Sequence, residues 1–117
     1  MKNLSSITLE IKMAITERIQ GFECRHKGIK RKIVELKSFH PTLGFKYVDK
    51  FDLAEIPTTG SVTTSVNFTA LVLIDMGGNG KQQDYASGNF GPVNISYSSS
   101  EYNIDMSSSL ISGLSTD

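Results

Sequence analysis

After residue 50 this chain carries almost no positive charge. Lys81 is the one lysine or arginine among the last 67 residues, and the other eleven all lie in the first 50. The acids run the other way, with Glu10, Glu17, Glu23, Glu35 and Asp49 early and seven more after them. A formal net charge of zero therefore hides about +6 on residues 1–50 and about −6 on residues 51–117. Other absences narrow the field. No run of 18 apolar residues occurs, which excludes a membrane-spanning helix. The opening Met1-Lys2-Asn3-Leu4-Ser5-Ser6 leads to Glu10 and Lys12 instead of an apolar signal core, so no secretory signal is expected. A single cysteine, Cys24, leaves no partner for an intramolecular disulfide, which fits the cytoplasm or a virion-type particle. Three N-x-S/T sequons, at Asn3, Asn67 and Asn94, arise easily in a chain rich in Ser, Thr and Asn, and no glycosylation is expected without a signal peptide.

What the chain does have is alternation. In Ser61–Met76, Val62, Thr64, Val66, Phe68, Ala70, Val72, Ile74 and Met76 form one face. Ser61, Thr63, Ser65, Asn67 and Thr69 form the other, until Leu71 and Leu73 make both faces apolar. This predicts a long strand whose second half is covered on both sides or sits at an interface. Gly77, Gly78, Asn79 and Gly80 then form a flexible, glycine-rich hairpin loop. Val93–Tyr97 and Tyr102–Met106 read as a second hairpin across Ser98–Glu101. Phe45–Tyr47 and Phe51–Leu53 bracket a further strand between His40-Pro41 and Ile56-Pro57.

The N-terminal segment fits two templates. Ile7, Leu9, Ile11, Met13 and Ile15 alternate with Thr8, Glu10, Lys12, Ala14 and Thr16, as in a strand. A helix stripe of Ile7, Ile11, Ile15, Ile19 and Phe22 also exists, with Gly21 as its stop. The strand template matches more positions and is preferred. Residues 107–117 show no clear period and are expected to dock as a helical turn or to fray. The expected fold is mainly β: one domain over residues 1–117, an antiparallel β-sandwich or barrel, with room for one short helix at the N- or C-terminus.

Candidate chemistry is sparse. Arg25, Lys27, Lys30, Arg31 and Lys32, continued by Lys37, form the densest charge in the chain. They suit contact with phosphates or with an acidic protein surface. No aromatic residue interrupts the run, so base stacking has no support. Cys24 and His26 share a side of any strand, but no orienting group or oxyanion hole accompanies them. A buried structural cysteine and surface histidines, His26 and His40, are the expectation. These three residues do not make a closed zinc site. Asp75–Gly80 begins like a calcium loop, yet Gly77 and Ala86 stand where acidic ligands are needed. Gly80-Lys81-Gln82 is not a phosphate loop either. Asp49, Asp52 and Glu55 are interspersed with Lys50 and read as surface charge pairing.

No catalytic residue, metal or cofactor is expected. The polar faces after residue 60 are Ser, Thr and Asn, without the lysines that usually protect exposed sheet edges, and such faces pack against protein at low desolvation cost. The sequence thus points to a non-enzymatic, self-assembling structural subunit, a β protomer of the kind that builds viral or phage particles. In this reading a homo-oligomer forms as the basic N-terminal half of one copy meets the acidic C-terminal half of the next. The alternative is a β-barrel module that binds nucleic acid or another polyanion through Arg25, Lys27, Lys30, Arg31, Lys32 and Lys37.

Overall fold

A computed structural model of the chain describes residues 4–41, 43–47, 60–98 and 101–117. One helix, α1 (Leu4–Ile19), is followed by seven strands: β1 (Glu23–His26), β2 (Ile29–Phe39), β3 (Gly44–Tyr47), β4 (Gly60–Asp75), β5 (Lys81–Ser98), β6 (Glu101–Asp105) and β7 (Leu110–Ser115). The mainly β class and the barrel architecture expected from alternation are present. The Phe51–Leu53 strand and the Asp49, Asp52 and Glu55 carboxylates lie outside the described residues.

The spine is the β4–β5 hairpin. It is paired from Asp75↔Lys81 beside the turn to Gly60↔Tyr97 at the far end. Sixteen residues at about 3.3 Å each make roughly 50 Å of strand, which accounts for a molecule measuring 54 × 24 × 23 Å. Along β4, Val62, Thr64, Val66, Phe68, Ala70, Val72 and Ile74 are all buried, while Leu71 and Leu73 on the opposite face are half-buried. The long strand expected from the sequence is therefore present, its second half buried on one face and only partly covered on the other.

That second half belongs to a closed barrel. β4 pairs with β2, β2 with β1, β1 with β7, β7 with β5, and β5 with β4 again, so five strands form a ring. The first half of β4 and the second half of β5 run on beyond the ring. There β3 is added beside β4 and β6 beside β5, giving a four-stranded sheet in the order β3-β4-β5-β6. Two glycines let β5 pass from one part to the other. A Cβ on Gly91 would stand 2.7 Å from the Ser65 Cβ, and one on Gly88 would stand 2.9 Å from the Leu114 Cδ1. Both lie beside breaks in strand register, between Thr64 and Val66 and between Ser87 and Asn89.

Two segments differ from expectation. Residues 4–19 form a helix where a strand was preferred. Ile7, Ile11, Ile15 and Ile19 are fully buried and Ala14 nearly so, whereas Leu9 and Met13, which the strand template put on the same face, are 58% and 56% exposed. β-Branched isoleucines are mediocre helix formers, so burial decides: each is worth about 1.5–3 kcal/mol when removed from water, against a few tenths for propensity. Gly21, at φ +80°, ends the helix, and its N–H donates to the Ile33 carbonyl at 2.8 Å. Arg18 then ties α1 to the barrel, its guanidinium 5.4 Å from the Phe90 ring centroid and donating to the Ser109 carbonyl at 2.9 Å.

The second difference is at the C-terminus. Residues 110–115 neither fray nor form a helical turn but make β7, antiparallel to β5 and parallel to β1. Ile111 and Leu114 are buried three residues apart because Gly113, at φ +62°, breaks the alternation between them. In the helix, Ile11→Ala should cost about 2–5 kcal/mol in denaturant unfolding, and Met13→Ala should stay within about 0.5 kcal/mol. A strand would make the two losses comparable.

Candidate functional site

The basic cluster gathers at one end of the long axis because two turns meet there. β1 and β2 are joined by Lys27 and Gly28, both with positive φ (+51° and +78°), as a two-residue hairpin turn of the I′ kind needs. The chain end completes this turn: the Asp117 carboxylate accepts the Lys27 N–H at 2.7 Å and the Gly28 N–H at 3.3 Å. Beside it lies the β4–β5 turn, since Ile33 of β2 stands opposite Ile74 of β4. That glycine-rich segment is a short 3-10 turn over Gly77–Asn79. Asp75 Oδ1 accepts the Gly77 N–H at 2.8 Å, and Met76 donates to the Gly80 carbonyl at 2.8 Å. Gly77, Gly78, Asn79 and Gly80 are all exposed.

Between the two turns is an open cleft of about 190 Å³, lined by Lys30, Arg31, Lys32, Asp75 and Gly77. Arg31 is half-buried and reaches toward the glycine turn; a Cβ on Gly77 would stand 3.8 Å from its Nη1. The Arg31 Nε is buried with no hydrogen-bond partner. Arg25, Lys27, Lys30 and Lys32 are exposed nearby. Lys37 is not part of this group. It lies about 16 Å further along β2, where its Nζ pairs with Glu35 at 2.9 Å.

The same end also collects acid. Asp75, Asp84 and Asp117 come from the acidic half of the sequence, but Asp75 lines the cleft with Lys30, Arg31 and Lys32, Asp117 holds the Lys27–Gly28 turn, and Asp84 lies 3.7 Å from His26. Folding therefore undoes part of the charge split, because strand pairing brings residue 117 against residue 27.

Beneath the cluster, β1 points Cys24 and His26 inward, on one side as its alternation requires. His26 is buried, with 2% exposed, and not at the surface as expected; β7, which the sequence did not reveal, covers it. Its Nδ1 lies 2.6 Å from the Thr116 hydroxyl and 3.7 Å from Asp84 Oδ2, and its Nε2 has no hydrogen-bond partner. Cys24 is the buried free cysteine expected. Burial pushes its thiol pKa up, and the charges of Asp117 and Asp84 push it further. That is the opposite of what a nucleophile needs. Among the described residues, no three His, Cys, Asp or Glu side chains gather as a metal site, and no helix is long and apolar enough to cross a membrane.

Comparison with protein-family models, with curated proteins and with solved structures finds no match.

The other notable surface is uncharged. On the outward face of β4–β5, Thr63 donates to Asn94 Oδ1 at 2.7 Å, Asn89 donates to Asn67 Oδ1 at 2.9 Å, and the Thr69 and Ser87 hydroxyls lie 2.7 Å apart. Asn67, Thr69, Ser87, Asn89 and Ser112 line a shallow groove of about 540 Å³ there. These are the small polar residues singled out by composition, tied to one another across the strands.

The raised thiol pKa has a pH consequence. Above the ordinary thiol range the unfolded chain releases a proton that the folded chain keeps, so this contribution is full below the unfolded value and is lost as pH rises toward the folded one. Denaturant midpoints measured between about pH 8 and 10 should fall more steeply for the wild type than for Cys24→Ala. Equal slopes would contradict the assignment.

Proposed function

We propose that this chain is a non-enzymatic structural protomer that assembles with copies of itself, in a wall or tube of the kind that virus and phage particles build. One observation carries the reading. The β4–β5 spine has one half sealed in an edge-free barrel and another half, the β3-β4-β5-β6 sheet, that is open at both edges among the described residues. The sheet's outward face on β4 and β5 is Ser, Thr and Asn, and small uncharged side chains of this kind pack against protein at low desolvation cost. The expected contact between a basic half and a neighbour's acidic half gives way in this proposal to contact at the sheet edges. The reason is that Asp75 of the later half folds back into the cleft of Lys30, Arg31 and Lys32, and Asp117 onto the Lys27–Gly28 turn.

A second reading is favoured by the cleft at the other end. Lys30, Arg31 and Lys32 converge there beside an exposed glycine turn, and the Arg31 Nε lacks a partner. That arrangement suits a phosphate-bearing polyanion, with binding that falls steeply as salt rises.

The two readings separate cleanly. Light scattering after size exclusion should give the wild type a mass above the 12.8 kDa monomer that grows with concentration. A monomer at every concentration would overturn the assembly reading. Reversing Lys30, Arg31 and Lys32 to Glu should leave that mass unchanged, and should abolish retention on heparin if the polyanion reading holds.

A further inference from the structure

We infer that the outward face of the β1–β2 hairpin binds the phosphate backbone of double-stranded nucleic acid, without regard to base sequence. This rests on the polyanion reading and extends it from the cleft to the face beside it. Strand register is the first support. Cys24 and His26 point inward on β1, so Glu23 and Arg25 point outward. Arg25 is paired with Lys30 and Glu23 with Lys32, and cross-strand partners share a face of the sheet. Arg25, Lys30 and Lys32 are therefore close neighbours. Directly opposite residues stand about 4.5–5.5 Å apart at Cβ and diagonal ones about 7–8 Å. Alternate residues along one strand are about 6.6 Å apart. Lys27, in the hairpin turn, carries the group to the tip. All four cations are exposed.

Electrostatic cost is the second support. Like charges directly opposite one another weaken a strand pair, and Arg25↔Lys30 is such a pair. No carboxylate among the described residues forms an ion pair with Arg25, Lys27, Lys30 or Lys32. Glu23 shares the face, opposite Lys32. The Asp117 carboxylate at the turn is engaged by the Lys27 and Gly28 N–H groups. Four cations therefore outnumber the acids beside them, and a row of external phosphates relieves the repulsion.

The third support is what the face lacks. No Phe, Tyr or Trp occurs from Glu23 to Lys32, so an unpaired base has nothing to stack on. Cations without aromatic side chains respond to backbone charge alone. The duplex carries the denser row of phosphates and is bound in preference to a single strand.

The test is fluorescence anisotropy with a short labelled DNA duplex of mixed sequence, titrated at several salt concentrations, with circular dichroism to confirm each fold. Four phosphate contacts predict that wild-type affinity falls about 150-fold between about 50 and 200 mM salt. Arg25→Gln, Lys30→Gln and Lys32→Gln should each bind more weakly and lose one contact's share of that dependence, leaving about a 40-fold fall. Lys37→Gln should match the wild type, because Lys37 is paired with Glu35 and lies away from this face. A duplex of different sequence should bind equally well, and a single strand less tightly. Hairpin variants that behave like Lys37→Gln would overturn the inference. So would a wild type that is retained on heparin yet ignores the duplex or prefers a single strand, although the polyanion reading would then stand. A wild type that binds neither heparin nor duplex would remove both.

Discussion

A five-stranded ring exists only if its last strand finds a neighbour on each side. Here that strand is β7, held to β5 by antiparallel pairing and to β1 at the Arg25↔Ser115 contact. Much else follows from this closure. It covers His26 and Cys24, brings Thr116 against His26, and delivers the Asp117 carboxylate to the β1–β2 turn. It also seats Ile111 and Leu114 in the same core as the four helix isoleucines. The sealed half supplies a fixed base from which the long hairpin projects its open half.

Electrostatics follows the same logic. Eleven cations in the first 50 residues suggest a molecule divided into a basic and an acidic part. Pairing of the chain end with β1 and of β4 with β2 returns Asp75, Asp84 and Asp117 to the basic end. The long-range asymmetry that remains is screened by salt beyond about 10 Å. What distinguishes the far half is the uncharged outward face of β4 and β5.

The legible parts of the fold were those whose signal is local. The period of two in Ser61–Met76, the glycine break after it, and the Val93–Met106 hairpin each depend on neighbours within a few residues, and β4, the 3-10 turn and the β5–β6 pair stand where expected. The helix was ambiguous because Ile7, Ile11 and Ile15 belong to both periods. Only burial of Ile19 and exposure of Leu9 and Met13 distinguish them, and burial depends on distant strands. β7 was hidden for a different reason. Gly113 shifts its buried positions to a spacing of three, and its partner residues on β1 lie about ninety positions away. The cation cluster was visible as a run, but its cleft was not, since Asp75 and Gly77 join it through the β2–β4 register. Lys37 fell outside for the simple reason that a strand carries it too far along.

Closure by β7 is the claim on which the rest stands, and amide hydrogen exchange under native conditions tests it most directly. Amides of β7 should be protected to about the same degree as those of Ala70–Ile74 in β4, because both open only when the ring opens. Exchange of residues 110–115 at nearly unprotected rates, with β4 still protected, would mean that the ring is open and that the buried environment of Cys24 and His26 is wrong.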